Sequence, residues 1–278
     1  MPLVPTAEIV VPASRERRGV GAFNVVQIEL AEALVTGAES AEAPVILQIS
    51  ENAVRYHGAL EPIALATLSI ARSASIPVAV HLDHATDTAL VTRAIELGFG
   101  SVMYDGSASD YDENVATTAL VARQCADAGV FLEAELGEIG GKDGVHALHV
   151  RTDPKEARAF VSETGVNALA VAVGTSHAMQ RRDVRLDLDL IGRLNAALPV
   201  PLVLHGSSGV PDGDLTRAVA AGITKVNIAT QLNRVFTGTL RRYLAEHADV
   251  VDTRRYLAPA RDAVGAEVAR LLDVLRAI

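Results

Sequence analysis

The sequence predicts an α/β fold, a TIM (β/α)8 barrel with extra C-terminal helices, built as a single domain over residues 1–278. Three observations favour this class. Eight short apolar runs alternate with helix-like segments, no linker or low-complexity stretch interrupts the series, and several helix-like segments end in glycine just before the next apolar run. Near-continuous apolar strands that alternate with helices are typical of a parallel sheet covered on both faces.

The eight predicted strands leave room for a helix after each one. They are GAFNV (21–25), VILQI (45–49), PVAVHL (77–82), SVMYD (101–105), VFLEAEL (130–136), ALAVAVG (168–174), PLVLH (201–205) and TKVNIA (224–229). Gly98, Gly129, Gly165 and Gly222 stand where a helix C-terminus favours a left-handed residue. A doubly wound open sheet is the alternative, and the absence of GxGxxG after the first strand argues against it.

Two of the predicted helices have clear starts. Thr152 or Asp153 is expected as N-cap before Pro154 in the first turn, and another helix is expected to begin at Pro211. The tail after the eighth strand, 231–278, is too long for one closing helix. It predicts two or more helices, part of which is available to pack against another subunit.

Composition argues against several classes of partner. The net charge is −9, with 25 Lys and Arg against 34 Asp and Glu, and no run is basic, so we expect no nucleic acid and no membrane as partner. Cys125 is the only cysteine, which excludes an intrachain disulfide. No apolar run approaches the ~18 residues of a membrane span, and the first charges follow the first apolar stretch, unlike a signal peptide. We therefore expect a cytoplasmic protein.

In a barrel of this class the reacting groups lie at the C-terminal ends of the strands. Polar residues follow those ends here: Asn24, Ser50, Asp83, His84, Asp105, Glu135, His177, His205 and Asn227. Three of them are histidines, at strands three, six and seven, which predicts a metal site with three imidazole ligands and one open position. For any one of these histidines, a hydrogen-bonded bystander is the alternative.

Carboxylates accompany these histidines. Asp83, beside His84 but on the opposite face of its strand, is expected to move a proton on the substrate, with orientation of an imidazole as the alternative. His81, one layer deeper on the face of Asp83, is predicted to belong to the core. Asp105 and Glu135 are expected to hold either a second cation or a ligand histidine.

An acidic protein that binds an anion needs a local positive feature, and the sequence offers one after strands seven and eight. The segment HGSSG supplies Gly206 and Ser208 with their backbone amides, while Asn227 and Thr230 stand at the start of the next helix. Loops seven and eight with a helix N-terminus are where this fold usually binds phosphate. We therefore expect a sugar phosphate as substrate.

Six motifs, in order and over nearly the whole chain, resemble one known family. They are HLDHATD, VMYDGS, EAELG followed by GG, GTSHA, LHGSSG and KVNIAT. The chain is similar to the class II zinc-dependent ketose-bisphosphate aldolases. Its form is closer to the tagatose-bisphosphate aldolase-like members than to the longer fructose-bisphosphate ones.

The resemblance implies both the reaction and the groups that carry it. The reaction is cleavage or formation of a ketose (bis)phosphate through a zinc-stabilised enediolate, with dihydroxyacetone phosphate and an aldehyde as the other partners. Zinc or another divalent metal is the implied cofactor, a monovalent cation is an additional one, and a homodimer or homotetramer is the implied assembly. The residues carried over are the metal ligands His84, His177 and His205, Glu135 near the metal, Asp83 as the acid that protonates the C4 oxygen, Gly206, Ser208, Asn227 and Thr230 at one phosphate, and Arg254 of DTRRYL at a second phosphate in a neighbouring subunit.

One segment departs from the family pattern. An acidic pair usually follows GG on a loop that moves the proton at C3, whereas this chain has GGKDG. Asp143 is the expected substitute, with His146 or His149 as alternatives. Lys142 motivates a second hypothesis, a non-catalytic or weakly active metal-containing barrel that binds sugar phosphates.

Two further chemistries are disfavoured. A metal-dependent hydrolase on this fold would need an HxH pair after strand one, where AFNVVQ stands. A Schiff-base aldolase would need a desolvated lysine at the active end of a strand. Lys142 and Lys155 lie in a loop and a helix start, and Lys225 enters strand eight from the opposite end.

Overall fold

The computed structural model describes residues 2–136, 151–175 and 184–276. Within them, parallel strands close into a barrel in the order of the chain, from β1 to β8 and back to β1. The strands are β1 (Val20–Asn24), β2 (Val45–Ser50), β3 (Val78–Ala85), β4 (Ser101–Tyr104), β5 (Phe131–Glu135), β6 (Ala168–Ala170), β7 (Leu202–Leu204) and β8 (Ile223–Ile228). The predicted fold class is confirmed.

Helices surround this barrel and close one end of it. In the described ranges they are α1 (Thr6–Arg15), α2 (Ile28–Ser40), α3 (Glu51–His57), α4 (Glu61–Ser73), α5 (Thr88–Leu97), α6 (Tyr111–Ala128), α7 (Pro154–Thr164), α8 (Leu188–Ala197), α9 (Asp212–Ala221), α10 (Thr230–Glu246) and α11 (Thr253–Arg276). The tail forms two helices, as predicted. No helix in these ranges has both the length and the apolar character that crossing a membrane requires.

Local signals in the sequence explain several of these bounds. The side chain of Asp153 accepts hydrogen bonds from the backbone amides of Lys155 and Glu156, so Asp153 caps α7. Thr152 instead accepts a hydrogen bond from the backbone N–H of Ala172. Strand β6 ends at Ala170, earlier than the sequence predicts.

The apolar residues form two layers. The outer layer fills the space between strands and helices, and the inner layer fills the barrel towards the N-terminal ends of the strands. Ile9, Val10 and Ala13 of α1 belong to the inner layer, so α1 closes that end of the barrel. This role of α1 was not predicted, because an amphipathic helix that covers the end of a barrel has the same apolar pattern as any surface helix.

Strand β5 shows how the interior changes from apolar to polar along the barrel axis. Alternate residues point into the barrel. Phe131 joins the apolar inner layer, whereas Glu133 and Glu135, further along the same face, are buried carboxylates. Leu132 and Ala134 point outwards into the layer under the helices. The polar half of the interior lies at the C-terminal ends of the strands, where we expect the functional site.

Candidate active site

A cavity of about 230 Å³ lies at the C-terminal ends of the strands. Pockets for drug-sized ligands have volumes of ~300–1,000 Å³, so this smaller cavity suits a smaller ligand. Nine predicted site residues line it: Asn24, Ser50, Asp83, His84, His205, Gly206, Ser208, Asn227 and Thr230. The other described residues that line it are Gln48, Asn52, Ser207 and Ala229. The strands thus bring most of the predicted site into one cavity.

His84 and His205, which are 121 residues apart in the chain, meet in this cavity. Nε2 of His84 lies 2.9 Å from Nδ1 of His205, and the two ring planes are inclined by 81° with centroids 4.6 Å apart. His205 is fully buried, while 27% of the His84 side chain is exposed. One nitrogen of each ring therefore faces the same point at the mouth of the barrel.

An irregularity in β3 brings Asp83 and His84 to the same side. The register between β3 and β4 shifts between Leu82 and Ala85, and His84 has a φ of 51°. Positive φ is unfavourable for a residue with a Cβ, and such strain concentrates at functional sites. The expectation that Asp83 and His84 point to opposite faces is wrong, because this backbone turn interrupts the alternation and both side chains line the cavity.

Asp83 is held by amide groups on both sides. Its Oδ2 accepts from Nδ2 of Asn24 at 3.2 Å, and its Oδ1 accepts from Nδ2 of Asn227 at 3.2 Å. Gln48 donates in turn to Oδ1 of Asn24 at 2.7 Å. Asp83 is 3% exposed, so these bonds replace water around its carboxylate and fix its direction.

Carboxylates stand behind both imidazoles. Asp105 Oδ2 lies 2.6 Å from Nδ1 of His84, and Ser107 donates to the other oxygen of Asp105 through its hydroxyl at 2.5 Å. Glu133 Oε1 lies 3.0 Å from Nε2 of His205. Asp105 therefore holds a histidine, which was one of the two roles predicted for it. A carboxylate on the far nitrogen is the usual support of a metal-ligating histidine.

The charges of this cluster shift the pKa of its members. Burial alone would lower the pKa of His84, but the carboxylates of Asp83, Asp105 and Glu135 raise it to about 10. Burial would raise the pKa of Asp105, and its bond with His84 instead lowers it. The acidic groups outnumber the cationic ones here, so the cluster favours a bound positive charge.

The donor atoms suit a metal ion. Atoms of Asp83, His84 and His205 lie within 4.8 Å of one another, as do atoms of His84, Asp105 and Glu135. Glu135 Oε2 is 3.8 Å from Nδ1 of His205. Two imidazoles with nearby carboxylates form a nitrogen and oxygen donor set of the kind that Zn²⁺ prefers. The described residues therefore fit a divalent metal at this point.

The predicted phosphate rim adjoins the histidine pair. Gly206 has a φ of 65°, a left-handed conformation that starts a short 3-10 turn over Ser207–Gly209. The Ser207 hydroxyl donates to the backbone carbonyl of Asn227 at 2.5 Å and so ties this turn to the end of β8. Helix α10 begins at Thr230, which also lines the cavity. The amides of a turn and of a helix N-terminus thus border one cavity.

Not every predicted residue joins this cavity. His177 and Asp143 lie outside the described residues, as do Lys142, His146 and His149.

Three other predicted residues, Asp105, Glu135 and Arg254, lie outside the cavity's described lining. The Arg254 side chain is 88% exposed, pairs with Asp252 at 2.8 Å and is absent from that lining. Glu135 is 2% exposed, and its Oε2 lies 3.8 Å from Nδ1 of His205, the ring nitrogen that faces His84.

Sequence reasoning missed a buried pair beneath His205. Lys225 Nζ donates to Oε2 of Glu133 at 2.7 Å, and both side chains are 1% exposed. The available signal was the period of two along each strand, which places Glu133 on the face of Glu135 and Lys225 on the face of Asn227. His81, predicted to be core, is fully buried, and burial with the charge of Lys225 holds its pKa well below the usual value.

Fold and site together define a class of protein, a (β/α)8-barrel enzyme with a histidine pair whose surroundings fit a metal ion, beside a rim of backbone amides. The family model for class II fructose-bisphosphate aldolase matches residues 4–278. The chain therefore belongs to the class II fructose-bisphosphate aldolase family, whose members are metal-dependent carbon–carbon lyases. This confirms the resemblance seen in the six motifs.

Individual relatives agree with this assignment. The chain is 36% identical to a fructose-bisphosphate aldolase of Thermus caldophilus over 99% of both chains. It is 35% identical to a fructose-bisphosphate aldolase of Giardia intestinalis, with 95% of this chain and 90% of that one covered. The crystal structure of the YdjI aldolase of Escherichia coli K12 superposes with a TM-score of 0.87 at 29% identity, covering 98% of this chain and 97% of that one.

Proposed function

We propose that this protein cleaves and forms a ketose 1,6-bisphosphate at the C3–C4 bond, with dihydroxyacetone phosphate as one product and a phosphorylated aldehyde as the other. Fructose 1,6-bisphosphate is the first candidate, since it gives the relatives their name. One observation carries the proposal: His84, His205 and Asp83 line the same cavity as the predicted phosphate-binding residues Gly206, Ser208 and Thr230. An aldolase of this class needs its metal, its proton donor and its phosphate site within the length of one small sugar.

We propose zinc as the metal, with His84, His177 and His205 as its ligands. When bound, such an ion supplies a Lewis acid that polarises the ketose carbonyl and stabilises the enediolate left by cleavage, worth several kcal/mol. The imidazole nitrogens of His84 and His205 that face each other support this assignment. Asp105 and Glu133 on the far nitrogens would keep both rings oriented.

Asp83 is the proposed proton carrier at the C4 oxygen. It takes the proton from the C4 hydroxyl during cleavage and returns it during condensation. Its two amide partners, Asn24 and Asn227, hold the carboxylate at the cavity wall. Positioned acid–base groups of this kind contribute about 10²–10⁴-fold to rate. For the proton at C3 we retain Asp143 as the proposed group.

We place one phosphate on the rim formed by Gly206, Ser208 and Thr230, with Asn227 shared between this rim and Asp83. The second phosphate is assigned to Arg254 of a neighbouring subunit, in a homodimer or homotetramer. The exposure of Arg254 and its absence from the cavity's described lining support this arrangement.

Arg254→Ala should then raise KM for a bisphosphate several-fold and leave KM for a 1-phosphate unchanged, as measured by initial rates.

The proposal is tested with a coupled assay for triose phosphate release from fructose and tagatose 1,6-bisphosphates and from ketose 1-phosphates, in the presence of zinc. Turnover of a bisphosphate is the expected result. Zero turnover of every ketose, with zinc and substrate both bound, would favour the alternative of a sugar-phosphate-binding barrel.

Since sugar phosphates are made and used inside cells, we propose the cytoplasm as the location of this protein.

A further inference from the structure

Beneath the histidine pair, Lys225 and Glu133 form a buried ion pair that the proposed reaction does not use. We propose that this pair is a positioning device that fixes His205 as a metal ligand through Nδ1. The inference rests on the proposed metal site. Lys225 and Glu133 touch neither substrate nor metal in this account and act through the imidazole of His205.

Burial makes the pair unusual. Lys225 and Glu133 are each 1% exposed, and a buried charge without a partner costs several kcal/mol. Their bond of 2.7 Å satisfies Oε2 of Glu133 and neutralises both groups. A pair of apolar residues would stabilise the barrel at least as well. The ion pair therefore calls for a reason beyond stability, and the second oxygen of Glu133 provides one.

That second oxygen, Oε1, lies 3.0 Å from Nε2 of His205. A carboxylate paired with a lysine is an acceptor only, so Nε2 must carry the ring hydrogen. Nδ1 is then left with its lone pair, and Nδ1 is the atom that lies 2.9 Å from Nε2 of His84. Nδ2 of Asn227 also lies 3.1 Å from Nε2 and donates one of its two hydrogens to Asp83. The charged carboxylate of Glu133 is the stronger partner for Nε2 than this neutral amide, so the N–H of the ring is directed to Glu133. Glu133 thus selects the tautomer that can bind a metal through Nδ1.

Lys225 keeps Glu133 in that orientation. Oε2 of Glu133 is 3.9 Å from Nε2 of His81, which has no hydrogen-bond partner among the described residues. Without Lys225 the carboxylate is free to turn towards His81 and away from His205. The lysine is also ill placed for Schiff-base chemistry, since it is absent from the cavity's described lining and its Nζ is bound to Glu133.

The test compares four variants with the wild type. Lys225→Met removes the anchor and should weaken zinc binding about 10- to 100-fold, the range seen when outer groups of metal sites are lost. Glu133→Gln should weaken it at least as much, because the amide presents its oxygen to Lys225 and its N–H₂ to His205, which favours the wrong tautomer. The double variant Lys225→Met/Glu133→Gln lets the Gln oxygen accept from His205, so it should bind zinc more tightly than Glu133→Gln alone.

Zinc affinity is measured by competition with a chromogenic chelator, and the absorption bands of the cobalt(II) form report ligand geometry independently of activity. Thr164→Val is the matched control. It removes a buried hydrogen bond of 2.7 Å within α7, from Thr164 to the backbone carbonyl of Phe160, and should leave zinc affinity and cobalt bands unchanged. Glu133→Asp retains the opposite charges of residue 133 and Lys225 but shortens the side chain at residue 133 by one methylene. It therefore tests the hydrogen bond to Nε2 of His205 even if a variant that removes a charge does not fold.

The results separate this inference from the metal site on which it rests. If wild type binds zinc and both Lys225→Met and Glu133→Asp match it in affinity and in cobalt bands, the positioning role is wrong while the proposed function stands. If wild type binds no zinc, the metal site and the inference fall together. Loss of affinity in these variants, with Thr164→Val unchanged, supports the inference.

Discussion

His84 and His205 are supported in contrasting ways. His84 is partly exposed and has a left-handed backbone conformation. Its Nδ1 is hydrogen-bonded to Asp105, whose other oxygen accepts a hydrogen bond from Ser107. His205 is fully buried, and its Nε2 is hydrogen-bonded to Glu133, whose other oxygen accepts a hydrogen bond from Lys225. The difference follows from access to water. A carboxylate near the surface needs only a hydroxyl beside it, whereas one in the barrel interior needs a full opposite charge.

Removing either imidazole is expected to have the largest effect. His205→Ala and His84→Ala should each abolish metal retention and turnover, because each removes one of the three proposed ligands. Metal content after gel filtration and triose phosphate release are the measurements. A variant of either histidine that retained both stoichiometric zinc and activity would break the assignment of that ring as a ligand.

Asp83 lies beside the proposed ligands His84 and His205, and its loss should affect catalysis without affecting metal binding. Asp83→Ala is expected to retain zinc and to lose about 10²–10⁴-fold in kcat, the contribution of a positioned proton carrier. Zinc content and kcat measured on the same preparation check this. Should Asp83→Ala remain fully active, its role as the proton carrier would be wrong, and loss of zinc would instead make it a ligand.

Asp105→Asn tests the support of the exposed histidine. The amide cannot match a carboxylate as acceptor for Nδ1 of His84, so zinc affinity should fall about 10- to 100-fold. We expect a smaller loss than in Glu133→Gln, since water can approach His84 and replace part of the lost bond. Chelator competition on the two variants under one condition makes the comparison, and an equal or larger loss in Asp105→Asn would contradict it.

The smallest expected effect is on the stability of the metal-free protein. The pKa of His84 is raised from 6.5 to about 10 in the fold, so its protonated form stabilises the native state. That contribution is complete below the unfolded value of 6.5 and is lost as pH rises towards 10. The Tm of the metal-free wild type should therefore fall over this window more steeply than that of Asp105→Asn. Parallel Tm profiles would show that His84 is not coupled to Asp105 in solution.

The same contrast explains what the sequence could reveal. Asp83, His84 and His205 were predictable because each follows an apolar strand at the end where this fold holds its reacting groups. The rule that successive strand residues point to opposite faces failed at His84. Positive φ can be anticipated from the sequence at a glycine, but not at a histidine. Ser50 and Thr230 were placed correctly because a strand end and a helix start bring them to the same rim.

The buried layer was harder to foresee. Glu133 precedes Glu135 by two residues, and Lys225 precedes Asn227 by two. A charged residue at such a position interrupts the apolar pattern of the strand without indicating a role. Each becomes intelligible only when the closed barrel brings β5, β7 and β8 together. The closure by α1 was missed for a related reason, since its apolar stripe gains meaning only from the barrel floor it covers.

If His84 and His205 help to hold one divalent ion, cleavage should depend on that ion. To measure this, the protein is stripped with a chelator, metal removal is verified by elemental analysis, and triose phosphate release is recorded before and after zinc is added. We expect no turnover in the stripped protein and recovery at one zinc per chain. Full turnover without metal would contradict this expectation.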